Sequence, residues 1–199
     1  TLDNLLYAGA GNNVLTGGGG VDTVSYAFAT GGVTLSLALS GAQATGASGS
    51  DTVAGIQHLI GSDFADTLTG SSAGNLLAGG AGADTLTGGA GGDSLQGGEG
   101  ADVFVFTTLA DTSTDPALAD VIADFAAGDR IDLSALDADA STLADDAFDG
   151  TLVSTFTAAG QLKLDAGVLY GNTDADPTTA EFAIALTGVS SLAAADFVL

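Results

Sequence analysis

Five side chains able to ligate a cation recur at intervals of nine: Asp66, Asn75, Asp84, Asp93 and Asp102. Two positions after each stands a large apolar residue, Leu68, Leu77, Leu86, Leu95 or Phe104, and glycine dominates the positions before it. A carboxylate on a one-carbon stem beside bare backbone offers hard oxygen atoms, which suits cation capture. The rest of the chemical inventory is thin. There is no cysteine, so neither a thiolate metal site nor a disulfide framework is possible. His58 is the single histidine, and no serine sits in a G-x-S-x-G elbow, which leaves Ser-His-Asp catalysis without its parts. The chain is therefore expected not to be an enzyme.

The carboxylates need a scaffold, and the repeat supplies it. From Gly61 to Val105 the chain reads GSDFADTLT, GSSAGNLLA, GGAGADTLT, GGAGGDSLQ and GGEGADVFV without interruption. Two further copies, at 8–16 and 17–25, keep one frame with each other and place Asn13 and Asp22 at the sixth position, and another at 46–54 is out of phase with the main run by three. Glycine at the first, second and fourth positions allows a tight turn with positive φ, and the last three residues read as a short strand with its middle side chain inward. Three residues cannot bury an apolar face alone, so consecutive units must stack, two units completing one flattened coil. Asp66, Asp84 and Asp102 then form a column along one edge, with Asn75 and Asp93 along the other. Carboxylates at strand spacing, roughly 4.8 Å, repel one another unless a cation lies between them. Calcium fits such oxygen-rich, flexible turns; magnesium demands stricter geometry, and zinc prefers nitrogen and sulfur.

Composition agrees. Among 199 residues, 25 acids face two cations, Arg130 and Lys163, for a formal charge of −23. Of the acids 23 are Asp, a turn former, and 31 residues are Gly. Nucleic acid and anionic membrane surfaces are disfavoured by the lack of basic clusters, and no apolar run is long enough to insert in a membrane. No basic, apolar-cored signal is visible from Thr1 to Ala10.

These units resemble the RTX nonapeptide GGxGxDxUx, with 79–87 and 88–96 matching at every defined position. The resemblance implies an all-β fold, a parallel β-roll or RTX solenoid, with Ca2+ clamped between the turns of units n and n+2. It implies sites at Asp66 with Asp84, Asp84 with Asp102, and Asn75 with Asp93. Carbonyls of Gly79, Gly80, Ala81 and Gly82, of Gly88, Gly89, Ala90 and Gly91, and of Gly97, Gly98, Glu99 and Gly100 complete them. Ser62, Phe64, Asn75 and Asn13 depart from the pattern, so their sites are expected to be weaker than those of Asp84, Asp93 and Asp102.

The expected organisation is a calcium-binding roll over 1–105, degenerate at about 26–60, then a β-rich cap over 106–199. Val33, Leu35, Leu37 and Leu39 alternate as in a half-buried strand. Short strands are expected at 151–156, 161–165, 168–170 and 181–186. The order ADVFVF, DVIADFAAGDRIDLSAL and AEFAIALTGVSSLAAADFVL is similar to the C-terminal region of serralysin-type proteases. Their zinc helix needs two or three histidines, so the protease chemistry itself is not expected here. By that likeness Asp196, Phe197, Val198 and Leu199 read as a type I secretion signal, and the chain as a secreted, extracellular module of a larger protein with its cargo N-terminal. The alternative is an adhesin, surface-layer or ice-binding roll using Thr67, Thr69, Thr85 and Thr87 as a platform. The GNTDAD stretch at 171–176 has oxygens for a further cation.

Overall fold

The computed structural model describes residues 2–142 and 146–199. Eighteen short strands follow one another: β1 Leu5–Tyr7, β2 Val14–Thr16, β3 Thr23–Ser25, β4 Thr34–Ser36, β5 Ala42–Ala44, β6 Ser50–Ala54, β7 His58–Ile60, β8 Thr67–Thr69 and β9 Leu76–Ala81. Then come β10 Thr85–Thr87, β11 Ser94–Glu99, β12 Val103–Val105, β13 Asp120–Ile122, β14 Arg130–Asp132, β15 Gln161–Asp165, β16 Val168–Asn172, β17 Phe182–Leu186 and β18 Phe197–Val198. The only helical turns among the described residues are three short 3-10 segments, so the fold is all-β. None of them is long enough to cross a membrane.

Alternate repeats feed alternate sheets. One sheet has the order β1-β3-β7-β9-β11-β13-β17-β16-β15, a second β18-β14-β12-β10-β8-β4, and a small third one, near the N-terminal repeats, β2-β6-β5. Within the nonapeptide block every pairing is parallel with a stride of eighteen, as in Thr67 with Thr85 with Val103 and Leu77 with Leu95. This is a parallel β-roll, and the two-unit coil follows from the fact that a three-residue strand buries only its middle side chain. Those middle residues make the core: Leu68, Leu86, Phe104 and Ile131 from one sheet face Leu59, Leu77, Leu95 and Ile122 from the other, all without solvent exposure. Each buried side chain contributes about 1.5–3 kcal/mol relative to exposure.

The stacking runs on past Val105. β11 pairs with β13 and β12 with β14, now with a stride of 27 because the chain between them makes an excursion before returning to each sheet. The C-terminal end is closed by antiparallel β15, β16 and β17, and by β18 against β14. Phe148 and Phe182 meet edge to face at 5.7 Å under this closure.

Several expected strands differ in detail. Residues 151–156 contribute one bridge, Leu152 to Leu162, because the backbone bends at Ser154 and Thr155 before Phe156 turns inward. The alternation at 31–40 is realised only over β4: Val33 and Leu35 are buried, but Leu39 has left the sheet and is exposed. The out-of-phase copy at 46–54 stacks its strand β6 on β2, so it joins the unit at 8–16 across a stride of 38.

Candidate metal centre

Each regular turn is shaped by glycines with left-handed backbone at its second and fourth positions, for example Gly80 at φ +118° and Gly82 at φ +124°. A side chain is strained at such angles. The first glycine is needed for another reason. A Cβ on Gly79 would collide with Asp84 Oδ2 and stand 2.7 Å from Gly97 O, so the carboxylate lies directly over bare backbone. Gly88 and Gly97 have the same relation to Asp93 and Asp102. The turns two units apart stack in register, Gly80 on Gly98 and Ala81 on Glu99.

The sixth-position residues form two ladders. The Asp66 N–H donates to Asp84 Oδ1 at 2.7 Å, the Asp84 N–H to Asp102 Oδ1 at 2.9 Å, and the Asp102 N–H to Asp129 Oδ1 at 2.9 Å. On the other edge the Asn75 N–H donates to Asp93 Oδ1 at 2.7 Å and the Asp93 N–H to Asp120 Oδ1 at 2.8 Å. One carboxylate oxygen is thus fixed by backbone. The other, Oδ2, is buried and accepts no hydrogen bond in Asp84, Asp93, Asp102, Asp120 and Asp22.

A buried, unpaired carboxylate oxygen disfavours ionisation. Burial pushes Asp84 up to about 7, Asp93 to about 6 and Asp120 to about 8, and raises Asp102; backbone hydrogen bonds oppose this, and neighbouring carboxylates add to it. Among the described residues the ion pair is Lys163 with Asp165 at 3.3 Å, away from the columns in the cap, so no protein cation neutralises them. No group of three or more His, Cys, Asp or Glu converges among the described residues. Carbonyls must therefore supply most donors, and that oxygen-only set suits calcium and not zinc.

The expected residues divide into two groups. Asp84, Asp93, Asp102 and Asp22 each keep a free oxygen next to glycine backbone, Asp22 over Gly17. Asp66, Asn75 and Asn13 occupy the columns but are satisfied internally. Asp66 accepts from the Ser62 N–H at 2.5 Å, Ser62 Oγ at 2.8 Å and the Val33 N–H at 2.6 Å. Asn75 Oδ1 accepts from the Ser71 N–H at 2.6 Å, and its Nδ2 donates to Gln57 O at 2.7 Å. Asn13 Nδ2 donates to Gly9 O and Gly11 O. The 61–69 and 70–78 turns carry Ser62, Phe64, Ser71 and Ala73 in place of glycine and have no left-handed residue at those positions.

Asp120 and Asp129 extend the columns, although no glycine frame announces them. Their signal is the surviving triplet of acid, variable residue and apolar residue, Asp120-Val121-Ile122 and Asp129-Arg130-Ile131. Asp129 Oδ2 accepts from the Ala126 N–H at 2.9 Å, so only Asp120 keeps a free oxygen. Asp124 accepts from the Gly97 and Gly98 N–H groups at 3.0 and 2.9 Å, a contact with no sequence signature. Gln57 stands in the Asp22 column as a neutral substitute, its Oε1 accepting the Asp22 N–H at 2.8 Å. His58 Nδ1 accepts the Leu76 N–H at 3.0 Å, a structural role on the sheet. In the 171–176 loop, Asn172 Oδ1 and Asp174 Oδ1 are taken by the Asp174 and Asp176 N–H groups at 2.9 and 2.7 Å.

The chain matches the family model of the Peptidase M10 serralysin C terminal over residues 1–199. No curated protein matches it significantly. Among solved structures it is similar to the R3 subunit of the AlgE6 mannuronan C5-epimerase of Azotobacter vinelandii, with 34% identity, 68% of this chain and 78% of that chain covered, and a TM-score of 0.39. The R2 subunit of the same enzyme shows 26% identity over 68% of this chain and 85% of that chain, with a TM-score of 0.43. The extracellular lipase LipA of Serratia marcescens shows 16% identity over 99% of this chain but 38% of its own length, with a TM-score of 0.38.

Proposed function

Because this chain belongs to the serralysin C-terminal family, we propose that it is a calcium-binding β-roll that folds on calcium binding outside the cell and supports type I secretion of a larger extracellular protein. The observation that carries the reading is the set of buried carboxylate oxygens, in Asp84, Asp93, Asp102 and Asp120, that no protein donor meets. Bound calcium supplies two positive charges and accepts six to eight oxygens. Asp84 and Asp102 on one edge, and Asp93 and Asp120 on the other, present those oxygens together with carbonyls of the glycine runs 79–82, 88–91 and 97–100.

The coupling to export follows from linkage. Where calcium is scarce, mutual repulsion of the carboxylates and the formal charge of −23 oppose compaction, and an extended chain suits a narrow channel. Outside, filling of sites in the roughly 10⁻⁴ to 10⁻³ M class of extracellular modules favours the stacked form. The segment from Asp196 to Leu199 is the part the secretion machinery reads. In the folded chain Phe197 is buried in β18, so reading precedes folding.

Circular dichroism during a calcium titration, with magnesium at equal ionic strength as control, tests the proposal. A cooperative gain of β signal with calcium alone is expected. A spectrum already folded after thorough chelation, and unchanged by calcium, would overturn it.

A further inference from the structure

The turn at 8–13 resembles the calcium turns in sequence, yet a nitrogen already stands among its oxygens. Asn13 Nδ2 lies 2.9 Å from Gly9 O, 2.7 Å from Gly11 O and 3.0 Å from Asp51 Oδ1. All three neighbours are acceptors, which fixes the amide with its NH2 inward. Two turn carbonyls and a carboxylate from the stacked unit are the kind of donor set that a cation between turns would meet.

Asp51 confirms the difference in its own surroundings. It is fully buried, but its Oδ1 also accepts the Asn13 N–H at 2.7 Å, and its Oδ2 lies 3.0 Å from both Tyr26 Oη and Thr45 Oγ1. Both of its oxygens are therefore met by protein donors, whereas Asp84, Asp93 and Asp102 each leave one unmet. β2 pairs in parallel with β6 beside these groups, and Asn12 Oδ1 also accepts the Ser50 N–H at 3.0 Å.

We propose that the Asn13 amide replaces the ion in this layer, so that residues 8–16 stacked on 46–54 form a metal-independent segment. It stays folded at calcium concentrations that leave the turns of Asp84, Asp93 and Asp102 open. On the other edge Gln57 and Asn75, both neutral and internally bonded, separate Asp22 from Asp93 in their column. The inference rests on the calcium reading for those other turns.

Hydrogen exchange on the full chain, with chelator and with millimolar calcium, separates the two. The Asn13 and Thr52 amides, bonded to Asp51 Oδ1 and Asn13 O, report on the N-terminal layer; those of Asp84 and Val103, bonded to Asp102 Oδ1 and Asp84 O, report on the columns. In chelator the first pair should exchange at least about tenfold more slowly than the second, with both pairs slow in calcium. Loss of protection at all four in chelator, restored by calcium, would overturn the inference and leave the calcium reading intact. Protection at all four in chelator would overturn the calcium reading, and with it the contrast claimed here. Asn13→Asp sets a carboxylate against three acceptors and should release Thr52 in chelator, with recovery on adding calcium. Tyr26→Phe removes one donor from Asp51 and should speed exchange at Thr52 in chelator while leaving Val103 in calcium unchanged. Wild-type protection of Thr52 in both variants would refute the role of the amide network.

Discussion

Replacing Asp84 by Asn should stabilise the roll without calcium and weaken it with calcium. An amide is nearly the same shape, and its oxygen can keep the bond from the Asp66 N–H that now measures 2.7 Å. The charge is what disappears. A carboxyl pushed from 3.8 to about 7 costs about 4 kcal/mol to keep ionised in a rigid fold above that pH, and relaxation of the turn around the charge reduces this to about 2 kcal/mol. Because the folded pKa is raised, the penalty is absent below about pH 4 and complete only above about pH 7. In chelator at pH 8 the variant should therefore gain about 2 kcal/mol, and at pH 4 nothing. Osmolyte-induced folding followed by circular dichroism measures this even if the chelated chain is unfolded. With calcium the order reverses, because losing a site filled at about a hundred times its dissociation constant removes about 2.7 kcal/mol. A variant equally destabilised in chelator and in calcium would refute the argument, since Asp84 would then be an ordinary hydrogen-bonding residue.

Four further outcomes are expected. The metal-free chain should gain stability as pH falls from 8 toward 4, because Asp84, Asp93, Asp102 and Asp120 bind protons more tightly folded than unfolded; osmolyte midpoints across that range check it. Calcium affinity should fall over the same range, as protons compete for the carboxylates. Gly97→Ala forces a Cβ into Asp102 Oδ2 and should cost about 1–3 kcal/mol in a calcium-loaded melt, while Gly9→Ala, which meets only Asn13 Oδ1 at 3.9 Å, should be nearly silent. Asp93→Ala should shift the calcium midpoint upward, whereas Asp139→Ala, outside the repeats in a local turn with Ser141, should leave it unchanged; equal shifts would undo the assignment of the columns.

The nonapeptide period determined the roll itself: two sheets, a stride of eighteen, inward Leu68, Leu77, Leu86, Leu95 and Phe104, and the alternation of sixth-position residues between two edges. These follow from local rules, since glycine permits the turn and a three-residue strand can bury only its central side chain. Asp120 and Asp129 lay beyond that logic. Their strides of 27 leave no glycine frame, and only the pairing of β13 and β14 brings them to the columns. Nor does residue type tell which carboxylates keep a free oxygen. Asp66 and Asp84 share a sequence position, but Ser62 and Val33 meet the oxygens of one, while Asp84 Oδ2 meets no donor. Likewise Asp51 reads as a repeat acid, and Tyr26 and Asn13 reach it only through stacking across 25 and 38 residues. Sequence fixes which groups each turn carries because turn and strand chemistry are local; whether a buried charge is met by a donor depends on the neighbouring layer, which only the fold selects.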